Sequence, residues 1–186
     1  VTGVTASNKV YDGATTATLN VGSAALTGVV TGDTVSLSTA GVTGAFANKT
    51  IGTGQTVTVS GLTISGADSG NYSLTQPTTT ANITAATLTV TGVTAGNKVY
   101  DGATPATLST GSAALRGVAS GDTVTLSTAS AAGACADKAV ATAKTVTVSG
   151  LTIAGADSGN YSLTQPTTTA NITAATLTVT GITAGN

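Results

Sequence analysis

VTGVTASNKVYDGAT, beginning at Val1, returns as VTGVTAGNKVYDGAT at Val90 and opens once more, as VTGITAGN, at Val179. The spacing is 89 residues each time and needs no insertion. Asp33 answers to Asp122 and Tyr72 to Tyr161, and GADSGNYSLTQPTTTANITAATLTVTG is written once from Gly66 and again from Gly155. A period of this length exceeds the roughly 20 to 50 residues of solenoid coils and propeller blades. It suits a small domain repeated in tandem. The chain therefore divides into a first repeat over 1–84, a second over 85–173 and the opening strand of a third over 174–186, and it reads as a segment of a longer array.

Within one repeat the pattern has period two. Leu88 and Val90 alternate with Thr87, Thr89 and Thr91, and Val57 and Val59 with Thr56 and Thr58, so one face is apolar and the other carries hydroxyls. Glycine and aspartate turns punctuate the unit at Asp12-Gly13, Gly22-Ser23, Gly32-Asp33, Gly61, Asp68-Ser69-Gly70 and Gln76-Pro77. Strands are expected over 1–5, 9–11, 16–19, 24–30, 34–38, 44–47, 55–65, 71–75 and 80–84, with no helix. Short strands with turns every 8 to 12 residues or so predict an all-β fold of tandem Ig-like β-sandwiches. Asp68 to Leu74 and its copy Asp157 to Leu163 place a turn carboxylate ahead of a tyrosine, with an inward residue two positions later. That spacing resembles the tyrosine corner of immunoglobulin-like domains, which marks Asp68, Tyr72, Asp157 and Tyr161 as structural candidates.

Composition narrows function further. The 186 residues include no His, Met, Trp or Glu and a single Cys, so no imidazole triad, Cys/His dyad or ordinary zinc site can be assembled. Six Lys and Arg against seven Asp give a net charge of −1, too little for a nucleic-acid footprint. Thr, Ala and Gly together exceed half of the chain, and the abundant Val, Ile and Thr favour strands over disorder. Apolar runs are too short to insert in a bilayer, and any secretion signal lies outside this sequence.

The peptide Asn8-Lys9-Val10-Tyr11-Asp12-Gly13-Ala14-Thr15, repeated as Asn97 to Thr104, resembles the signature of YDG-type repeats. GDTVSL at Gly32, TVTVSGLTISGAD at Thr56 and NYSLTQPTTTANIT at Asn71 fit the same pattern, as do their copies. The resemblance covers nearly the whole chain. It implies a mostly-β module tandemly repeated in the stalk or fibre of very large secreted bacterial surface proteins, such as filamentous-haemagglutinin-like adhesins exported by two-partner secretion. It brings no catalytic site. The two copies diverge most at 41–55 against 130–144, where the second becomes Ala-rich around Cys135.

Several chemistries remain to be weighed. An intramolecular isopeptide bond needs a buried amine, an amide and a proton-shuttling acid. Lys9 with Asn82, and Lys98 with Asn171, could meet if first and last strands pair, but every Asp of the repeat falls in a turn. Isolated Asp residues and Asp137 make a poor calcium cage, and no metal or cofactor is expected. Cys135 stands where the other repeat has Phe46 and reads as a small apolar filler. The Asn-x-Ser/Thr sequons at Asn48, Asn71, Asn82, Asn160 and Asn171 are expected by chance in a chain so rich in hydroxyls.

The leading expectation is a non-enzymatic, extracellular stalk or fibre module whose partners are neighbouring repeats, joined through Ile83 to Thr87. The alternative is a self-assembling filament subunit that exchanges strands or domains between chains. A glycan-binding module ranks third, since Tyr11 and Tyr72 are the only aromatic platforms recurring in each repeat.

Overall fold

A computed structural model describes residues 1–182 and 185. The chain divides into two compact units. Unit 1 holds Val1–Ala86 together with Ala119–Asp122 and Gly159–Ser162. Unit 2 holds Thr87–Val118, Thr123–Ser158 and the described residues from Leu163 onward. The fold is all-β, with sandwich-like sheets, and no helix among the described residues is long and apolar enough to cross a membrane.

In unit 1 the main sheet has five strands in the order Lys9–Val10, Thr78–Thr84, Gly52–Ser60, Thr43–Phe46, Thr16–Ala17. First and last strands of the repeat do pair, and they run parallel, with Lys9 opposite Ile83. The other neighbours are antiparallel. Two ribbons complete the unit: Thr5–Ala6 with Leu19–Asn20, and Ser36–Ser38 with Thr63–Ser65. Unit 2 repeats this plan, its main sheet running Lys98–Val99, Thr167–Thr173, Ala141–Ser149, Ala132–Cys135, Pro105–Ala106.

The alternation read from sequence sets the core. Val57 and Val59 are fully buried while Thr56, Thr58 and Ser60 face outward, and Ala17, Phe46, Leu62, Ala81 and Ile83 close the same layer. Their counterparts Ala106, Val146, Val148, Leu151, Ala170 and Ile172 do so in unit 2, with Cys135 buried in the place of Phe46. At roughly 25 cal/mol per Å² of apolar surface removed from water, these small side chains supply the main cohesion of each unit.

Turns are tied by side chains. The Gln76 amide clasps Leu62, accepting from its N–H at 3.1 Å and donating to its carbonyl at 2.9 Å, and Gln165 does the same to Leu151. The expected single strand over 55–65 is two, Gly52–Ser60 and Thr63–Ser65, because Gly61 turns the chain at φ +83° with an ideal Cβ only 2.6 Å from the Gly41 carbonyl. Both long strands carry a bulge where they face the last strand of the repeat, between Gly52 and Gln55 and between Ala141 and Lys144. The bulge needs a left-handed residue, supplied by Gly54 at φ 59° and by Ala143 at φ 49°.

The clearest departure from the sequence pattern concerns two expected strands of the first repeat. Tyr161–Leu163 and Ala114–Arg116 are strands, hydrogen-bonded on either side of Ala86–Thr91 in a three-stranded sheet. The matching residues 72–74 and 25–27 form no strand apart from an isolated bridge between Thr2 and Ala25, and Ser69–Asn71 is a short 3-10 turn. Tyr-Ser-Leu is spelled identically in both places, so a partner strand, not propensity, decides the outcome. Residues 174–182, expected to open a third repeat, carry no strand; 183, 184 and 186 lie outside the described residues.

Candidate functional site

The densest polar cluster in unit 1 is built on Asp122, whose side chain is fully buried. Both phenols donate to its Oδ2, Tyr11 at 2.7 Å and Tyr161 at 2.7 Å, and Lys49 Nζ donates to its Oδ1 at 2.7 Å. The two rings meet edge to face with centroids 5.3 Å apart, a favoured aromatic geometry. The Tyr161 hydroxyl also accepts from the Ala119 N–H at 2.9 Å, and the Asn160 carbonyl oxygen accepts from the Ile51 N–H at 3.1 Å.

The electrostatics follow from this geometry. The Lys49 ammonium, then the two phenols, hold the Asp122 carboxyl down at about 2. Burial, and then the bond to Asp122, push Tyr161 up to about 12 and raise Tyr11 as well. The hydrogen bond to Asp122 raises Lys49. A carboxylate already accepting three donors is a poor base, and two protonated phenols aimed at it are poor nucleophiles. The cluster is suited to holding segments together.

Asp33 and Tyr72, the equivalent pair of the first repeat, keep half of this arrangement. Tyr72 donates to Asp33 Oδ2 at 2.6 Å and accepts from the Val30 N–H at 3.0 Å. The tyrosine-corner candidates take different partners. The tyrosine hydroxyl bonds to a loop about 40 residues upstream, and its acid partner is Asp33, not Asp68. Asp68 instead accepts from the Thr34 N–H at 2.8 Å, and Asp157 from the Thr123 N–H at 2.8 Å, each fastening the start of a ribbon. Asp33 and Asp122 read in sequence as mere turn residues. The available signal was their fixed distance of 39 residues ahead of each tyrosine.

The isopeptide candidates are not brought together. Lys9 Nζ bonds to Asp12 at 2.7 Å, to the Ala14 carbonyl at 2.7 Å and to the Thr16 carbonyl at 3.2 Å, and lies 5.6 Å from the Phe46 ring centre. Asn82 Oδ1 accepts from the Gly54 N–H at 2.7 Å, pinning the bulge. In unit 2, Lys98 holds the Ala103 and Pro105 carbonyls and pairs with Asp101 at 2.8 Å, while Asn171 accepts from the Ala143 N–H at 2.8 Å. Register explains the separation: Lys9 is opposite Ile83, and Asn82 points to the other face. Lys144, replacing Gln55, pairs with Asp137, a contact the sequence did not suggest. No group of three or more Cys and Asp side chains among the described residues could hold a metal ion.

Unit 1 also contains a cavity of about 250 Å³ beneath residues 26–29 and 72–75, with Val1, Val35 and Ile64 on its walls.

The sequence matches the YDG domain over residues 1–81 and again over 84–170. Comparison with curated proteins and with solved structures gave no match. Two domain matches that together span most of the chain, in step with the repeat, place it in a family: the protein belongs to the YDG domain family and carries two copies of the domain.

Proposed function

We propose that this chain is a non-catalytic structural module of an extended stalk or fibre on a secreted bacterial adhesin. The observation that carries the reading is the destination of its polar side chains. Lys9 and Lys98 hold the same carbonyl pairs, Asp68 and Asp157 the same ribbon, Gln76 and Gln165 the same turn, and Asn82 and Asn171 the same bulge, each set 89 residues from its copy. Duplicated architecture with its polar groups directed at backbone is what a spacer requires. Low net charge, a lone buried thiol and the resemblance to adhesin repeats support an extracellular setting.

Single-molecule stretching tests this reading. Each repeat of 89 residues should release about 250–300 Å of contour in its own force peak. Extension without two such peaks would overturn a load-bearing role.

A further inference from the structure

We propose that residues 12–16, and again 101–105, form a binding site for a primary ammonium group. The site closes the open seam of the five-stranded sheet, and it takes a small free ammonium ion once the lysine that fills it is cut back. The inference stands whether or not the protein serves as a stalk. In unit 1 the sheet begins at Lys9–Val10 and ends at Thr16–Ala17. Laid flat at about 4.8 Å per strand, those two edges would stand about 19 Å apart, beyond the reach of a lysine side chain. Lys9 Nζ nonetheless donates to the Thr16 carbonyl at 3.2 Å. The sheet therefore curls until its edges meet, with no ladder between them among the described residues, and the ammonium is what crosses the gap. Unit 2 is built the same way: Lys98 Nζ, from the strand Lys98–Val99, donates to the Pro105 carbonyl at 3.0 Å on the opposite edge.

The far edge presents oxygen to the seam. The Thr15 carbonyl accepts from the Phe46 N–H at 2.7 Å, so alternation along the strand turns the carbonyls of Ala14 and Thr16 away from the sheet. Thr104 and Cys135, joined at 2.8 Å, do the same for Ala103 and Pro105. The Ala14 N–H is taken by Asp12 Oδ1 at 2.9 Å and the Ala103 N–H by Asp101 Oδ1 at 3.0 Å, while Pro105 has no N–H at all. An added strand, which must exchange donors and acceptors in turn, finds a poor partner there. A group made only of donors fits.

The count and the lengths name the ligand class. Lys9 Nζ meets Asp12 Oδ1 at 2.7 Å, the Ala14 carbonyl at 2.7 Å and the Thr16 carbonyl at 3.2 Å. Lys98 Nζ meets Asp101 Oδ1 at 2.8 Å, the Ala103 carbonyl at 2.8 Å and the Pro105 carbonyl at 3.0 Å. Three acceptors match the three N–H donors of an ammonium. The separations are hydrogen-bond lengths, longer than the roughly 2.3–2.6 Å of calcium to oxygen or the roughly 2.0–2.1 Å of magnesium. The carboxylate supplies the opposite charge, and each lysine in turn holds its aspartate below the usual carboxylate range. Only 16% of the Lys9 side chain and 17% of the Lys98 side chain are exposed, and in unit 1 the Phe46 ring, 5.6 Å from Nζ, adds an aromatic wall. The chain thus carries its own cation to the seam and needs none from solution.

The test removes the tethered cation from the full chain and returns it free. Lys9→Met keeps most of the stem and loses the ammonium, whereas Lys9→Ala loses the whole of an n-propylammonium. Amide exchange at Phe46, whose N–H bonds to the far edge, should quicken at least tenfold in both variants, with Cys135 in unit 2 unchanged. Ammonium chloride should restore Lys9→Met, and n-propylammonium chloride Lys9→Ala, to within about twofold of the native rate and saturably, at an ionic strength held constant with sodium chloride. Tetramethylammonium chloride, with the same charge and no N–H, should restore neither. Lys98→Ala should respond in the same way at Cys135, which keeps a readout in the second unit if the Lys9 variants unfold. Phe46 exchange indifferent to loss of the Lys9 ammonium, recovery that tetramethylammonium matches, or no recovery by either ammonium in either unit would each overturn the proposal.

Discussion

Ala143→Gly should stabilise unit 2. Ala143 sits at φ 49° in the bulge of the strand Ala141–Ser149, the one non-glycine residue with positive φ among the described residues. Gly54 holds the same place in unit 1 at φ 59°, and a Cβ built on it meets nothing within 4 Å. Crowding is thus absent, and the cost of a side chain there is the dihedral itself, about 1–2 kcal/mol. Glycine returns about 0.4–1 kcal/mol of that through its greater freedom in the unfolded chain. The balance is a gain of about 0.5–1 kcal/mol for Ala143→Gly and a loss of similar size for Gly54→Ala. In a module of this size about 1 kcal/mol moves the midpoint by roughly 4–8 °C. Thermal melts of the two variants should therefore shift in opposite directions, with amide exchange at Val146 slowed a few-fold by Ala143→Gly and exchange at Val57 quickened by Gly54→Ala. Shifts of the same sign, or none in either, would refute the bulge as the site of strain.

Three further outcomes follow from the same geometry. Asn82→Ala removes the acceptor for the Gly54 N–H and should destabilise unit 1 by about 1 kcal/mol, measured by denaturant titration. The Asp122 carboxyl is held at about 2, below its ordinary 3.8, so its contribution to unit 1 is complete above about pH 4 and lost as pH falls towards 2; Tyr11 ring resonances followed by NMR should report the loosening in that window, and Asp122→Asn should flatten it. Cys135 is buried and unpaired, so a thiol reagent should modify it at least a hundredfold more slowly in native buffer than in denaturant.

Much of the fold was legible in the sequence because short-range pattern determines it. Alternation placed Val57 and Val59 inward, the 89-residue period separated the copies, and glycine and aspartate marked the turns. What pattern could not supply was long-range choice of partner. Asp33 and Asp122 look like loop residues until the chain brings a tyrosine from 39 positions downstream to each. Lys9 and Asn82 lie on neighbouring strands as expected, yet parallel register turns them to opposite faces. Tyr72–Leu74 and Tyr161–Leu163 have identical sequence and different structure, and no local property separates them.

The three-stranded sheet around Ala86–Thr91 also bears on how such a gene can change. The Ala86–Thr91 strand opens the second repeat and lies between Ala114–Arg116 and Tyr161–Leu163 of that same repeat. Gaining or losing a whole period by unequal crossing-over, whatever the breakpoint, adds or removes one such strand together with its two neighbours, so the inventory of cores stays balanced at any copy number. A deletion of any other length breaks that pairing. Near-identical repeats are the preferred substrates of such recombination, so a lineage can alter the number of these domains in whole units without testing a new fold.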